Sequence, residues 1–377
     1  MPGEVVVELQ PNAPAASAAA IARDYGLVTL STQPVSLLDT TLYRFRIRDG
    51  RPVEALVRSL GRDVRVASVQ PNFIFRLQAE AAGAMASLQY ARAKLRLPEA
   101  QELATGDGVT VAVIDSGVDS SHPEIAGGVA TSLSALGAGP KPDPHGTAIA
   151  GIIVAHAKLV GASPAARLFA IETFAPDPKT GETRGVSIDI VRAISLAVEG
   201  GVRLANLSFG GPSDPLVARA IAAGHRRGTI FVAAAGNGGP KAPPSYPAAD
   251  PNVIGVTATD PKDLLFASAN RGAYVGFAAP GVDILVPAPG QGYRLSSGTS
   301  MAAAHVTGVL ALVMQKRPGL TLDEARQILA GSSTDLGPAG PDSDFGSGLV
   351  DARRAVERAT ESGPPGTQVV ATVPETP

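Results

Sequence analysis

Ser300 sits between the turn residues Gly298-Thr299 and the run Met301-Ala302-Ala303-Ala304-His305. The small residues after it favour helix. A hydroxyl at a helix start faces backbone N–H groups that point outward, and that end of the helix favours developing negative charge. This is a setting for a nucleophile. It demands a base, an acid to orient the base, and a second donor for an oxyanion.

Candidates for all three occur upstream. The apolar run Val111 to Ile114 ends in Asp115, with Gly117 just beyond. Functional groups gather at the carboxyl ends of buried strands. His145 precedes Gly146-Thr147 and an apolar helical stretch to Val154. A histidine at a helix entry is accessible and can titrate near neutrality. His122, His156, His225 and His305 lack a comparable setting. Asn237 lies among glycines after the run Phe231 to Ala235, where its amide can donate to an oxyanion. Alone, each piece reads as a turn aspartate, a surface histidine or an Asn-Gly turn. In order, as Asp, His, Asn and Ser beside glycines, they form one constellation. The order Asp…His…Ser also rejects an α/β-hydrolase esterase, which requires a Gly-x-Ser-x-Gly elbow and Ser…acid…His.

Residues 109–118, 145–151, 232–239 and 298–308 resemble the four signature blocks of the subtilisin-like serine peptidases, the subtilases. The similarity extends over about residues 88–355. It implies a catalytic triad of Asp115, His145 and Ser300, with Asn237 in the oxyanion hole. Ser208, Phe209 and Gly210 resemble one wall of the primary specificity pocket, and Ala234, Ala235 and Gly236 the other. Ser245 falls at the pocket floor, where a small uncharged residue implies an apolar preference. Arg184 and Gly185, within Thr183–Val186, are expected to pair with substrate backbone as an added strand. Ala304 stands where the family has proline, and Ala148-Ile149 where it has His-Val. The stretch from Ile152 to Gly161 is short and lacks the insertion of the family's high-affinity calcium loop. No metal is expected there, no cofactor is implied, and calcium elsewhere is left open.

Positioning these groups requires a large scaffold. The chain has 377 residues, 45% hydrophobic and 18% charged, which is enough for one large and one small core. Strand-like runs at 109–114, 167–171, 202–207 and 229–232 alternate with helical patterns at 145–157, 186–199 and 215–226. That alternation predicts an α/β fold, a mostly parallel twisted sheet between helical layers, over residues 88–358. Several strands are continuously apolar, as in sheets buried on both faces. Residues 1–78 carry strand patterns at 4–9, 42–47, 64–69 and 73–77, with helical patterns at 14–24 and 52–60. They predict a small ferredoxin-like α+β unit. The resemblance implies that this unit is a propeptide, a chaperone and inhibitor of its own enzyme, removed by a self-cut within 77–88. Residues 79–87 read as a linker and 359–377 as a Pro-rich disordered tail.

The net charge of −2 makes no case for nucleic acid. There is no cysteine, hence no disulfide and no thiolate chemistry. No stretch reads as a transmembrane helix, and the N-terminus lacks the features of a signal peptide. The expectation is a monomer acting on protein or peptide, secreted or periplasmic in a bacterium, with its signal absent from this sequence. The rival is a catalytically silent relative that binds peptides or serves as a scaffold.

Overall fold

A computed structural model describes residues 1–361 except 12, 15, 78–79, 82–88 and 178–180. The N-terminal unit runs β1 (Glu4–Leu9), α1 (Ala16–Asp24), β2 (Leu27–Val35), β3 (Thr40–Ile47), α2 (Val53–Leu60) and β4 (Val66–Pro71). Its antiparallel sheet has the order β2-β3-β1-β4. This is the split βαβ arrangement expected of a ferredoxin-like unit. Strand alternation makes the sheet two-sided. Val5 and Val7 enter a core with Ile21, Phe45, Leu56 and Leu60. Val6 turns the other way, into a core shared with the large unit.

Two details differ from the expectation. β2 has no counterpart in it, because this edge strand buries only its two ends and so carries no clean period of two. β4 starts at Val66 rather than Val64, whose side chain is 88% exposed.

β5 (Ile74–Leu77) leaves the small sheet, and β6 (Glu80–Ala81) follows it. Glu80–Ala81 therefore forms a strand inside the expected linker. Residues 79 and 82–87 of that linker lie outside the described residues. The large unit continues as α3 (Tyr90–Lys94), α4 (Leu97–Gln101), β7 (Thr110–Ser116), β8 (Val129–Ser134), α5 (Pro144–Val154), β9 (Arg167–Pro176), β10 (Thr183–Val186) and α6 (Ser187–Glu199). Then come β11 (Leu204–Leu207), β12 (Phe209–Gly210), α7 (Pro215–Arg226), β13 (Ile230–Ala234), β14 (Val253–Thr259) and β15 (Val275–Pro280). β16 (Ile284–Ala288), β17 (Gly292–Ser297), α8 (Thr299–Lys316), α9 (Leu322–Ser332) and α10 (Ala352–Glu361) complete the chain. The last helix passes the expected boundary at 358. The remainder of the expected tail lies outside the described residues.

The main sheet has the order β12-β5-β10-β9-β7-β11-β13-β14-β15, with β8 beside β9. Pairing is parallel from β9 to β15 and antiparallel around β5 and β10. On β7, Val111 and Val113 face a core with α5 and α8, while Ala112 and Ile114 face one with α6 and α7. Burial on both faces explains the continuously apolar strands.

α8 is buried from Thr299 to Met314 and runs unbroken through Ala304. The alanine keeps a backbone N–H that proline would remove. The β1 face that carries Val6 packs, with Val35, Leu37 and Leu42, on residues of α6 and α7. Polar contacts reinforce this seam. Arg219 Nη1 donates to Glu8 Oε2 at 2.7 Å. Gln70 Nε2 donates to Asp214 Oδ1 at 2.8 Å, the oxygen that also caps α7.

Candidate active site

Asp115 lies at the carboxyl end of β7 and is fully buried. His145 is the second residue of α5, after Pro144 in the position where proline fits a helix start. The helix approaches the strand so closely that a Cβ on Gly146 would lie 2.3 Å from Ser116 O. Only glycine fits there. The approach sets His145 Nδ1 2.6 Å from Asp115 Oδ1. With Nδ1–H donating to the carboxylate, Nε2 is left as the basic nitrogen. Nε2 is buried and has no hydrogen-bond partner among the described residues.

Ser300 is the second residue of α8. Gly298, its N-cap, has φ 149° and ψ 160°, a conformation essentially reserved for glycine. The chain thus turns sharply from β17 into the helix. The Ser300 N–H falls in the first turn, where it has no intrahelical acceptor. Ser300 Oγ donates to Ser208 O at 3.0 Å. The expected bond to His145 is therefore not made in this rotamer, and the hydroxyl must turn to reach Nε2.

Asn237 is held by its oxygen. Oδ1 accepts from Thr299 N at 3.1 Å and from Thr299 Oγ1 at 2.9 Å. The amide NH₂ is thereby directed away from Thr299. Thr299 Oγ1 also accepts the Gly236 N–H at 3.1 Å. One threonine thus ties the Asn237 loop to the first turn of the nucleophile's helix.

The residues expected to wall a specificity pocket are closely packed. Ala234 and Ala235 are fully buried, and Ser245 nearly so. A Cβ on Gly236 would lie 3.0 Å from Ser245 Cβ and 2.7 Å from Asn270 Nδ2, so this wall is tight. Asn270 Oδ1 accepts the Gly238 N–H at 2.7 Å, and Tyr274 OH donates to Ala235 O at 2.9 Å. On the opposite side, Ser208 Oγ donates to Ser300 O at 3.1 Å and accepts from Asn206 Nδ2 at 2.8 Å.

Arg184 and Gly185 do pair with an extended segment, and that segment is the chain's own β5. Arg184 faces Arg76 and Gly185 faces Phe75. On the other edge Phe209 faces Leu77 and Gly210 faces Arg76. β6 then pairs with β17, Glu80 opposite Ser297 and Ala81 opposite Ser296. β17 leads through Gly298 into the helix that carries Ser300, so β6 pairs next to that residue's helix.

Sequence reasoning missed Ser116, Asp143, Thr299, Asn270 and Tyr274 as supports. An Asp-Pro-His string at a helix entry was the available sign for Asp143. The other four act across long separations that leave no local pattern. His305, which was set aside, is buried, with Nδ1 2.9 Å from Pro280 O. Burial pushes it down to about 4, so it is neutral at physiological pH.

Glu124 is a fully buried carboxylate. It accepts the N–H groups of Ala157, Lys158 and Leu159 at 2.9–3.1 Å, and Tyr293 OH at 2.7 Å. These bonds fasten the short stretch between Ile152 and Gly161. Among the described residues, no cluster of three or more His, Cys, Asp or Glu could hold a metal ion. No described helix is long and apolar enough to cross a membrane.

The chain is similar to known proteins. The subtilase family matches residues 106–348. Subtilisin BL of Lederbergia lenta is 37% identical over 257 residues, covering 67% of this chain and 91% of its own. Subtilisin E of Bacillus subtilis strain 168 is 32% identical over 314 residues, covering 81% of this chain and 79% of its own. The crystal structure of fervidolysin from Fervidobacterium pennivorans, a keratinolytic enzyme related to subtilisin, superposes with a TM-score of 0.80 at 24% identity. That match covers 94% of this chain, which spans 61% of the fervidolysin chain. The chain belongs to the subtilase family of serine endopeptidases.

Proposed function

We propose that this chain is a self-processing zymogen whose Asp115, His145, Ser300 and Asn237 hydrolyse peptide bonds through an acyl-enzyme. Ser300 Oγ attacks the scissile carbonyl while His145 Nε2 takes its proton. Asp115 holds the imidazole in the required tautomer and stabilises the imidazolium. Asn237 Nδ2 and the Ser300 N–H receive the oxyanion, a donor of this kind being worth about 3 kcal/mol of barrier. His145 then protonates the leaving amine, and water releases the acyl group by the reverse sequence.

The observation that carries this reading is the path of β5 and β6. One strand of the chain's own N-terminal unit fills the cleft between β10 and β12, and the next pairs beside Ser300. The proposed cut lies in the three bonds from Leu77 to Glu80, with Gln78–Ala79 the middle one. Before the cut the N-terminal unit is tethered substrate. Afterwards it is a bound inhibitor and the enzyme's own partner. A pocket floor formed by Ser245 would be small and uncharged. The proposed substrates are proteins and peptides carrying uncharged, preferentially apolar, side chains at that subsite. Strict cleavage after lysine or arginine in a peptide library would refute this specificity.

The enzyme is proposed to act as a monomer outside the cytoplasm of a bacterium. No calcium is proposed at the short loop, because the Glu124 carboxylate there is already taken up by three backbone N–H donors and the Tyr293 hydroxyl. A fluorophosphonate probe tests the catalytic reading. Labelling of wild type and none of Ser300→Ala supports a peptidase. No labelling of either supports a silent peptide-binding relative.

A further inference from the structure

Asp143 caps α5, accepting the His145 N–H on Oδ1 at 2.9 Å. Capping requires nothing more, yet the same oxygen lies 2.7 Å from Ser116 Oγ, 27 residues away in sequence. Ser116 Oγ is also 3.2 Å from Asp115 Oδ1. The hydroxyl carries one proton, and the shorter contact takes it, so Ser116 donates to Asp143. Its lone pair accepts the Gly146 N–H at 2.9 Å. Asp115 Oδ1 is left with two close donors, the Ser116 N–H at 2.7 Å and His145 Nδ1 at 2.6 Å.

We propose that Asp143 is a positioning residue for the Asp115–His145 pair, acting through one carboxylate oxygen that holds Ser116 Oγ and the His145 N–H together. The role rests on the peptidase function proposed above. Asp143 fastens the backbone of the base to the residue that follows the acid. It also draws the Ser116 hydroxyl off Asp115 Oδ1. Without Asp143 that hydroxyl is free to turn to Asp115 and compete with the imidazole for the same oxygen. The loss then falls on proton transfer rather than on substrate binding.

The test is steady-state kinetics on a fluorogenic peptide with full-length chains allowed to process, and with active sites counted by a fluorophosphonate. Asp143→Ala should lower kcat about tenfold with KM within about twofold. Asp143→Asn keeps an oxygen that can accept both bonds and should stay within about threefold of wild type. Ser116→Ala alone measures the loss of the Gly146 contact, and the double variant Ser116→Ala, Asp143→Ala should be no slower than the slower single variant, since the competing hydroxyl is gone. Full kcat in Asp143→Ala, losses in the double variant that multiply, or an Asp143→Asn as slow as the alanine variant would each overturn the proposal. An inactive wild type would overturn the peptidase function along with it. An active wild type beside a full-speed Asp143→Ala overturns the positioning role alone.

Discussion

Phe75 of β5 meets Phe209 of β12 edge to face, with ring centroids 5.8 Å apart and planes at 90°. Phe174 stands 4.9 Å from Phe209 on the same cluster. A Cβ on Gly211 would come within 2.6 Å of the Phe75 ring. The cleft of the large unit is thus shaped around a side chain of the small one. Removing a buried phenylalanine ring costs about 3–5 kcal/mol. Phe75→Ala should therefore shorten the lag before peptidase activity appears by tenfold or more, measured on freshly refolded full-length chain. An unchanged lag would mean that the ring does not hold the cleft closed.

Asn237→Ala removes one oxyanion donor. The expected result is a fall in kcat of about 10²–10³ with little change in KM. Loss of one oxyanion donor in subtilisin, a relative, has an effect of this size. Thr299→Ser, which keeps both bonds to Asn237 Oδ1, should retain most of the rate. A variant at Asn237 with full kcat would remove the amide from the mechanism.

The seam between the two units should respond to pH through Asp189, in the first turn of α6. Burial pushes this carboxyl up to about 6, with Arg44 and Arg192 opposing and Glu4 adding to the rise. A raised acid contributes its full stabilisation below the ordinary carboxylate range and loses it as pH rises through 6. Glu8 works in the opposite sense. Burial raises it, but Arg219 and Ser68 outweigh burial and hold it below the ordinary value, so its contribution fails only under acid. Of these two carboxyls, Asp189 is the one that changes between pH 4.5 and 7; the Met1 amino group and His305, both lowered by burial, act in the opposite sense, so the Asp189 effect is read as the difference from Asp189→Asn. Hydrogen exchange of β1 and β4 amides in Ser300→Ala chain, corrected for intrinsic rate, should therefore lose more protection between pH 5 and pH 7 than the same chain carrying Asp189→Asn. An Asp189→Asn chain with the same change in protection between the two pH values would contradict it.

Glu124→Gln tests the anion that fastens the 157–159 loop. Burial raises the Glu124 carboxyl, and Tyr293 with three backbone N–H groups outweighs it, leaving it below the ordinary range. The amide can no longer accept all four bonds, and unpaired buried donors cost roughly 1–3 kcal/mol each. The melting temperature should fall by about 5 °C or more. Any effect of a chelator on the melting temperature should be the same in wild type and in Glu124→Gln. A large chelator effect that Glu124→Gln abolishes would show a cation at this place instead.

Much of this was legible before any coordinates. Asp115 and Asn237 stand at the ends of apolar strands, and His145 and Ser300 at helix starts beside glycines. All four signals are local and survive in a linear reading. The chemistry that holds them is not local. Ser116 and Asp143 meet across 27 residues, and Thr299 and Asn237 across 62. Hydrogen bonds of that kind leave no periodicity. β2 was invisible because an edge strand buried only at its ends shows little alternation, and β6 because two residues cannot carry a pattern. The alternating burial of Val5, Val6 and Val7 on β1 marks a strand with two buried faces. Only the fold shows that the second face is the large unit.

The central claim is that Ser300 of the intact chain cuts the segment between Leu77 and Glu80. Intact mass of full-length wild type and Ser300→Ala, before and after incubation, tests it most directly. The expected result is a wild-type fragment beginning at or within one residue of Ala79, with Ser300→Ala remaining whole. A wild type that stays whole, or a Ser300→Ala chain that cuts at the same bond on its own, would contradict it.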